Sequence, residues 1–234
     1  MLVIPEYMAR LEIADEPVGY RWNDADPGSI HRQDERLATI IARTTDRGVV
    51  ALSCGLAEWI AWRLHKKVNV LVLLNQIEAV WAGIIDWRYL GPLHRTGLAP
   101  KRREWQGPVR GPVYSTFELL ADVVWRARKP SYSAEASSCL SALAAHVVPD
   151  SKPFLEWRKQ VIRRLSSVYP FEARNRVGAA VPREALDPDF DFEPNLTEPL
   201  LARFLQSLDY KQNPFLRSPQ EMIADGFEGT PYHL

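Results

Sequence analysis

Only two cysteines, Cys54 and Cys139, occur in the 234 residues, and both stand in apolar, helix-like stretches. Two such residues make no disulfide framework and are read as thiols in a reducing compartment. The chain has no charge excess either: 29 Lys and Arg balance 29 Asp and Glu. A protein that grips nucleic acid over its whole surface carries a basic surplus, so that class is set aside, though a local patch is not. No uninterrupted apolar run is long enough to span a bilayer. The most apolar stretch, 68–87, contains Asn69, Asn75, Gln76, Glu78 and Asp86, groups that a membrane interior tolerates poorly. The N-terminus lacks both a basic start and an apolar run, so it does not read as a secretory signal. The expectation is a cytoplasmic protein with no membrane span.

Catalytic signatures are missing as well. The chain contains no G-x-S-x-G, H-E-x-x-H, Walker A or G-x-G-x-x-G motif, no C-x-x-C and no E-x-x-H pair. Glu58 and His65, seven apart on one helical face, permit an acid–base pair, but a capping or surface pair is the plainer reading. His94 in the long loop and His146 near a helix end are read as polar surface residues, and His31, in the first turn of a helix, is given no role. No cofactor or metal is expected.

What the chain does contain is helical periodicity. With 46% hydrophobic residues it can fill a sizeable core. Ile30, Leu37, Ile40 and Ile41 mark a first stripe, with Gly48 as its stop. The stretch 49–67 is apolar on several faces and should be buried nearly all round. Val70, Leu73, Leu74, Ile77, Val80, Trp81, Ile84 and Trp87 predict a helix from Val70 to Tyr89. The short joint between them predicts an antiparallel pair. From Gly91 to Pro112 eight glycines and prolines predict a long loop. A capping box at Ser115 and Glu118 predicts a helix start, closed by Pro130. Further helices are expected over 133–148, 151–169, 197–210 and 218–225, the last with Ser218, Pro219 and Glu221 as a cap. For 197–210 Thr197 serves as the N-cap, with Pro199 in the first turn. The C-terminal segment is rich in Phe, Tyr and Leu and should pack on the body. The fold expected is all-α, a single-domain helical bundle of seven or eight helices with long irregular connections. It divides into an irregular segment 1–28, a main helical core 29–168, an acidic irregular connection 169–196 and a C-terminal part 197–234.

Two stretches stand out on this background. In DPDFDFEPN, Asp187, Asp189, Asp191 and Glu193 alternate with Pro188, Phe190, Phe192 and Pro194. Asp187 to Glu198 also sets oxygen-bearing residues at positions 1, 3, 5, 9 and 12, as in a calcium-binding EF-hand loop. Position 6, where that loop needs Gly, is Phe192. The alternative is an extended strip with same-face side chains ~6.6 Å apart: Phe190 and Phe192 dock, and the four acids face water. Over 177–199 a single base, Arg183, stands against six acids. Such a strip suits a protein partner with a basic surface. The second stretch, KRREWQGPVRGP, sets Lys101, Arg102, Arg103 and Arg110 around Trp105, side chains able to hold a phosphate and stack on a base. Arg163 and Arg164 would widen that basic face if their helix lay nearby.

The functional expectation is a non-catalytic interaction protein using Asp187, Asp189, Asp191 and Glu193, positioned by Phe190 and Phe192. In general character this is like a bacterial immunity or antidote-type inhibitor of a basic toxin, an analogy of type and not of motif. The alternative is an enzyme or nucleotide- or nucleic-acid-binding helical protein using the loop 91–112, with Arg102, Arg103, Trp105 and Arg110 as contacts.

Overall fold

The structure is a computed structural model that describes residues 2–92, 100–127 and 132–233. Among these the protein is all-α, with nine helices, seven of them seven residues or longer. They are α1 (Glu6–Ala9), α2 (Glu35–Ile41), α3 (Asp46–Leu64), α4 (Leu71–Ile85), α5 (Gly107–Ala127), α6 (Ser133–Val147), α7 (Ser151–Val168), α8 (Thr197–Gln206) and α9 (Pro219–Ala224). No strand occurs among the described residues; isolated bridges join Thr44 to Pro170 and Leu90 to Leu216.

Helix α3 is the axis of the fold. Every residue from Gly48 to Leu64 is buried, which its apolar residues on all faces require. Helices α4, α5, α6 and α7 and a 3-10 turn (Arg183–Leu186) pack around it. Small residues let them approach. Gly55 faces Leu186 and Trp157, and a Cβ there would lie 2.7 Å from the Leu186 side chain. Trp59, Phe154 and Trp157 then form one aromatic cluster, with ring centroids 5.4–5.9 Å apart.

Several helix boundaries differ from those expected. Gly48 does not end a helix; it lies in the first turn of α3, where its amide donates to the Thr45 side chain. Helix α2 begins only after Asp34, whose carboxylate accepts from the Leu37 amide, so His31 and Ile30 precede it. Helix α4 ends at Ile85, where the Asp86 side chain caps a 3-10 turn (Trp87–Tyr89). Thr197 is the first residue of α8 and not its cap, because a 3-10 turn (Pro194–Leu196) runs straight into it. A helical turn, α1, lies within the N-terminal segment expected to be irregular. The cap at Ser218 forms as expected, with Glu221 closing the capping box. Pro130 lies outside the described residues.

The largest correction concerns the loop 91–112. Helix α5 starts at Gly107 and runs through Gly111 and Pro112. Ser115 and Glu118 are therefore interior residues and form no capping box. A proline inside a helix removes the donor for the carbonyl four residues back. Here that carbonyl, on Pro108, accepts instead from the Tyr20 hydroxyl. The Asp24 carboxylate accepts from the Gly107 amide at 2.9 Å, and the Trp22 indole lies where a Cβ on residue 111 would stand. The N-terminal segment thus supplies what the local sequence withholds.

The C-terminal segment packs on the body as expected. Phe215, Leu216, Met222 and Tyr232 are buried. The Gly91 amide donates to the Phe215 carbonyl at 2.7 Å, and the Arg217 amide to Tyr89.

Close packing at α3 sets a test. Gly55→Val drives branched carbons into Leu186 and Trp157. Such overpacking costs ~3 kcal/mol, which outweighs the helix-propensity gain of ~0.4 kcal/mol on replacing Gly by Val. Thermal unfolding should show the melting temperature lowered by roughly 5 °C or more.

Candidate functional site

The acidic segment is not an extended strip. The Asp187 carboxylate accepts from the Asp189 amide, and the Phe190 amide donates to the Asp187 carbonyl, so the chain turns at 187–190. Prolines at 188 and 194 and this Asx turn override the period-two pattern. The six residues therefore do not split into two faces. Phe192 packs against the core, as its docking role requires. Phe190 is half-buried and lies outside that cluster. Asp189 pairs with Arg10 at the surface. Asp191 and Glu193 are exposed, and among the described residues their carboxylates make no ion pair.

Three anchors hold this segment. Arg164 of α7 donates to the carbonyls of Ala185 (3.1 Å), Asp187 (2.7 Å) and Phe190 (3.3 Å). Arg164 thus serves the acidic segment and does not extend the basic loop. Trp157 Nε1 donates to the Leu186 carbonyl at 2.9 Å. The third anchor is Arg183, whose guanidinium reaches Glu58.

Glu58 is not at the surface beside His65. It is 2% exposed, in the middle of α3. Its carboxylate accepts from Trp81 Nε1 at 2.9 Å and from Arg183 Nε at 2.9 and 3.1 Å, with a further short bond from the other end of the guanidinium. Arg183 also donates to the Val3 carbonyl. His65 bonds the Trp62 carbonyl instead. Burial works against the charge on Arg183, yet the Glu58 carboxylate holds its pKa above the ordinary value. Burial, reinforced by the Glu58 charge, pushes the Tyr7 hydroxyl and the Cys54 thiol well up, so both stay protonated at neutral pH. A cleft of about 140 Å³ opens beside the pair, between Tyr7, Gly55, Glu184 and Asp187. The reading of Glu58 as a surface residue is overturned; the signal that could have placed it inside is a charge in a helix apolar on all sides, which demands a buried partner, but nothing in the sequence said that the partner was Arg183.

The basic residues of 101–112 are divided. Arg102 donates to the Asp24 carbonyl at 3.1 Å and lines a cleft of about 570 Å³ with His31, Tyr114, Glu118 and Asp122. Burial lowers the His31 pKa and raises that of Tyr114, so both are neutral near pH 7. Arg103 projects into solvent beside Glu104. Trp105 and Arg110 line a separate cleft of about 430 Å³ with Lys67, Val68, Asn69, Glu104 and Val109. A fourth, mostly apolar cleft of about 440 Å³ lies between α3, α4 and α5, with Asp46 and Arg47 at its edge. Among the described residues no three His, Cys, Asp or Glu side chains are grouped to hold a metal, and no helix is long and apolar enough to cross a membrane.

No family model, curated protein or solved structure matches the chain; its site is defined by geometry alone.

The buried pair carries a stability test. Removing one partner of a buried ion pair costs about 3–5 kcal/mol, whereas replacing both with apolar groups is often near neutral. Arg183→Met should destabilise by that amount in chemical denaturation. Adding Glu58→Leu to it should recover at least half of the loss.

Proposed function

We propose that the protein works by binding a partner protein with a basic surface, through the segment from Asp187 to Glu193. The observation that carries this reading is the clamp by Arg164. Its bonds to three carbonyls fix the backbone from Ala185 to Phe190, immediately before the exposed Asp191 and Glu193. A loop already ordered before encounter loses less entropy on binding, and matched charge accelerates association and selects partners. Asp189, held by Arg10, forms the edge of this surface. Phe192 acts as the internal anchor, and Asp187 shapes the turn. In its specific form the reading is an inhibitor of the immunity or antidote type, covering the basic surface of a toxin. The concentration of acids in a chain of zero net charge supports it.

Asp191→Lys with Glu193→Lys reverses the exposed charge without removing an internal bond. Wild type and variant serve as baits for affinity capture from native lysate, read by quantitative mass spectrometry. A basic protein should be retained by the wild type, released by salt, and depleted about tenfold or more with the variant. The variant's melting temperature should stay within about 2 °C of wild type, since exposed substitutions change stability by under ~0.5 kcal/mol. The same proteins captured equally by both baits would remove this segment from the function.

A further inference from the structure

The sequence groups four bases around one tryptophan; the fold keeps Trp105 and Arg110 together and adds Lys67 from the middle of the α3–α4 joint. We propose that the cleft they line binds a small phosphate-bearing aromatic molecule, a mononucleotide, at a site separate from the acidic segment. Its volume of about 430 Å³ lies in the range of small-molecule pockets and exceeds what a lone phosphate fills.

The walls divide the ligand's chemistry between them. Arg110 is exposed, and among the described residues its guanidinium makes only a long 3.5 Å bond to the Glu104 carbonyl. It therefore retains the planar fork that suits a phosphate. Lys67 Nζ donates one proton to the Ala14 carbonyl at 2.6 Å, and an ammonium has three. Asn69 uses its oxygen to accept from the Leu71 amide, leaving its NH₂ as a donor. Half-buried Trp105 with Val68 and Val109 supplies the apolar part of the lining, on which a base ring can stack. Among the described lining residues Glu104 is the one acid, and Arg103 stands 3.6 Å from its carboxylate. The first amide of α5 is already taken by Asp24, so the attraction rests on side chains and not on the helix end. A polymeric nucleic acid would need a longer basic track than this cleft, in a chain of zero net charge, provides.

The test is titration with adenosine 5′-monophosphate, followed by tryptophan fluorescence and by calorimetry. Saturable binding in the submillimolar range is expected, with adenosine alone and inorganic phosphate alone each at least about tenfold weaker. Arg110→Ala should weaken binding about tenfold; because Arg110 is exposed, the fold is unaffected. Trp105→Leu should weaken it further, and Arg163→Ala, on the exposed face of α7, should leave it unchanged. Absence of saturable binding would overturn the proposal. So would indifference to Arg110→Ala, or phosphate alone binding as tightly as the nucleotide. Tighter binding of a single-stranded octathymidylate than of the mononucleotide would also overturn it, in favour of a polymer site.

Discussion

A carboxylate at the centre of the most buried helix needs a counter-charge, and that need organises much of the molecule. A carboxylate without a partner is costly in an apolar interior. Glu58 is met by Trp81 from α4 and by Arg183 from a segment 125 residues further along the chain. Because Arg183 also holds the Val3 carbonyl, one guanidinium joins the N-terminal segment, the axial helix and the connection ahead of α8. The second buried charge of α3, Arg63, is met by the carbonyls of Ile13, Glu16, Pro17 and Val147, and the rest of the bundle closes around the helix.

The acidic segment inherits its position from that arrangement. Arg183 fixes the start of the connection, Trp157 fixes Leu186, and Arg164 fixes the carbonyls as far as Phe190. Beyond this point the chain carries its charge outward. Burial and exposure are thus coupled: the same few side chains that satisfy the interior decide which carboxylates reach solvent. Asp187 and Asp189 are consumed locally by a turn and by Arg10, while Asp191 and Glu193 are left on the outside.

Periodicity made the long helices legible. The apolar repeats of α3, α4 and α7 and the Ser218 capping box depend on residues three or four apart, and local patterns of that kind survive in the fold. What sequence reading missed depended on distant partners. Gly107, Gly111 and Pro112 read as loop breakers, but Tyr20, Trp22 and Asp24 supply the hydroxyl, the packing surface and the carboxylate that let α5 start there. Glu58 read as a surface residue because its partner lies far along the chain. The acidic comb read as extended because alternation is a strand signal, whereas an Asx turn at Asp187 needs only one side chain to break it. At the site level, the anchoring of Phe192 was visible in the pattern. The service of Arg164 to the acidic segment was not, nor was the division of Arg102, Arg103, Trp105 and Arg110 among separate surroundings.

The central claim is that the buried pair of Glu58 and Arg183 holds the acidic segment in one fixed conformation. Native-state hydrogen exchange measures this directly, since the amides of Ala185, Asp187, Phe190 and Phe192 all donate to nearby carbonyls. In the wild type these amides should be protected well above the rate of free chain. In Arg183→Met that protection should collapse to the free-chain rate, while the amides of α5 and α6 stay protected, reduced only by the loss of global stability. Exchange at the free-chain rate across 185–192 in the wild type, or protection unchanged by the substitution, would contradict the account.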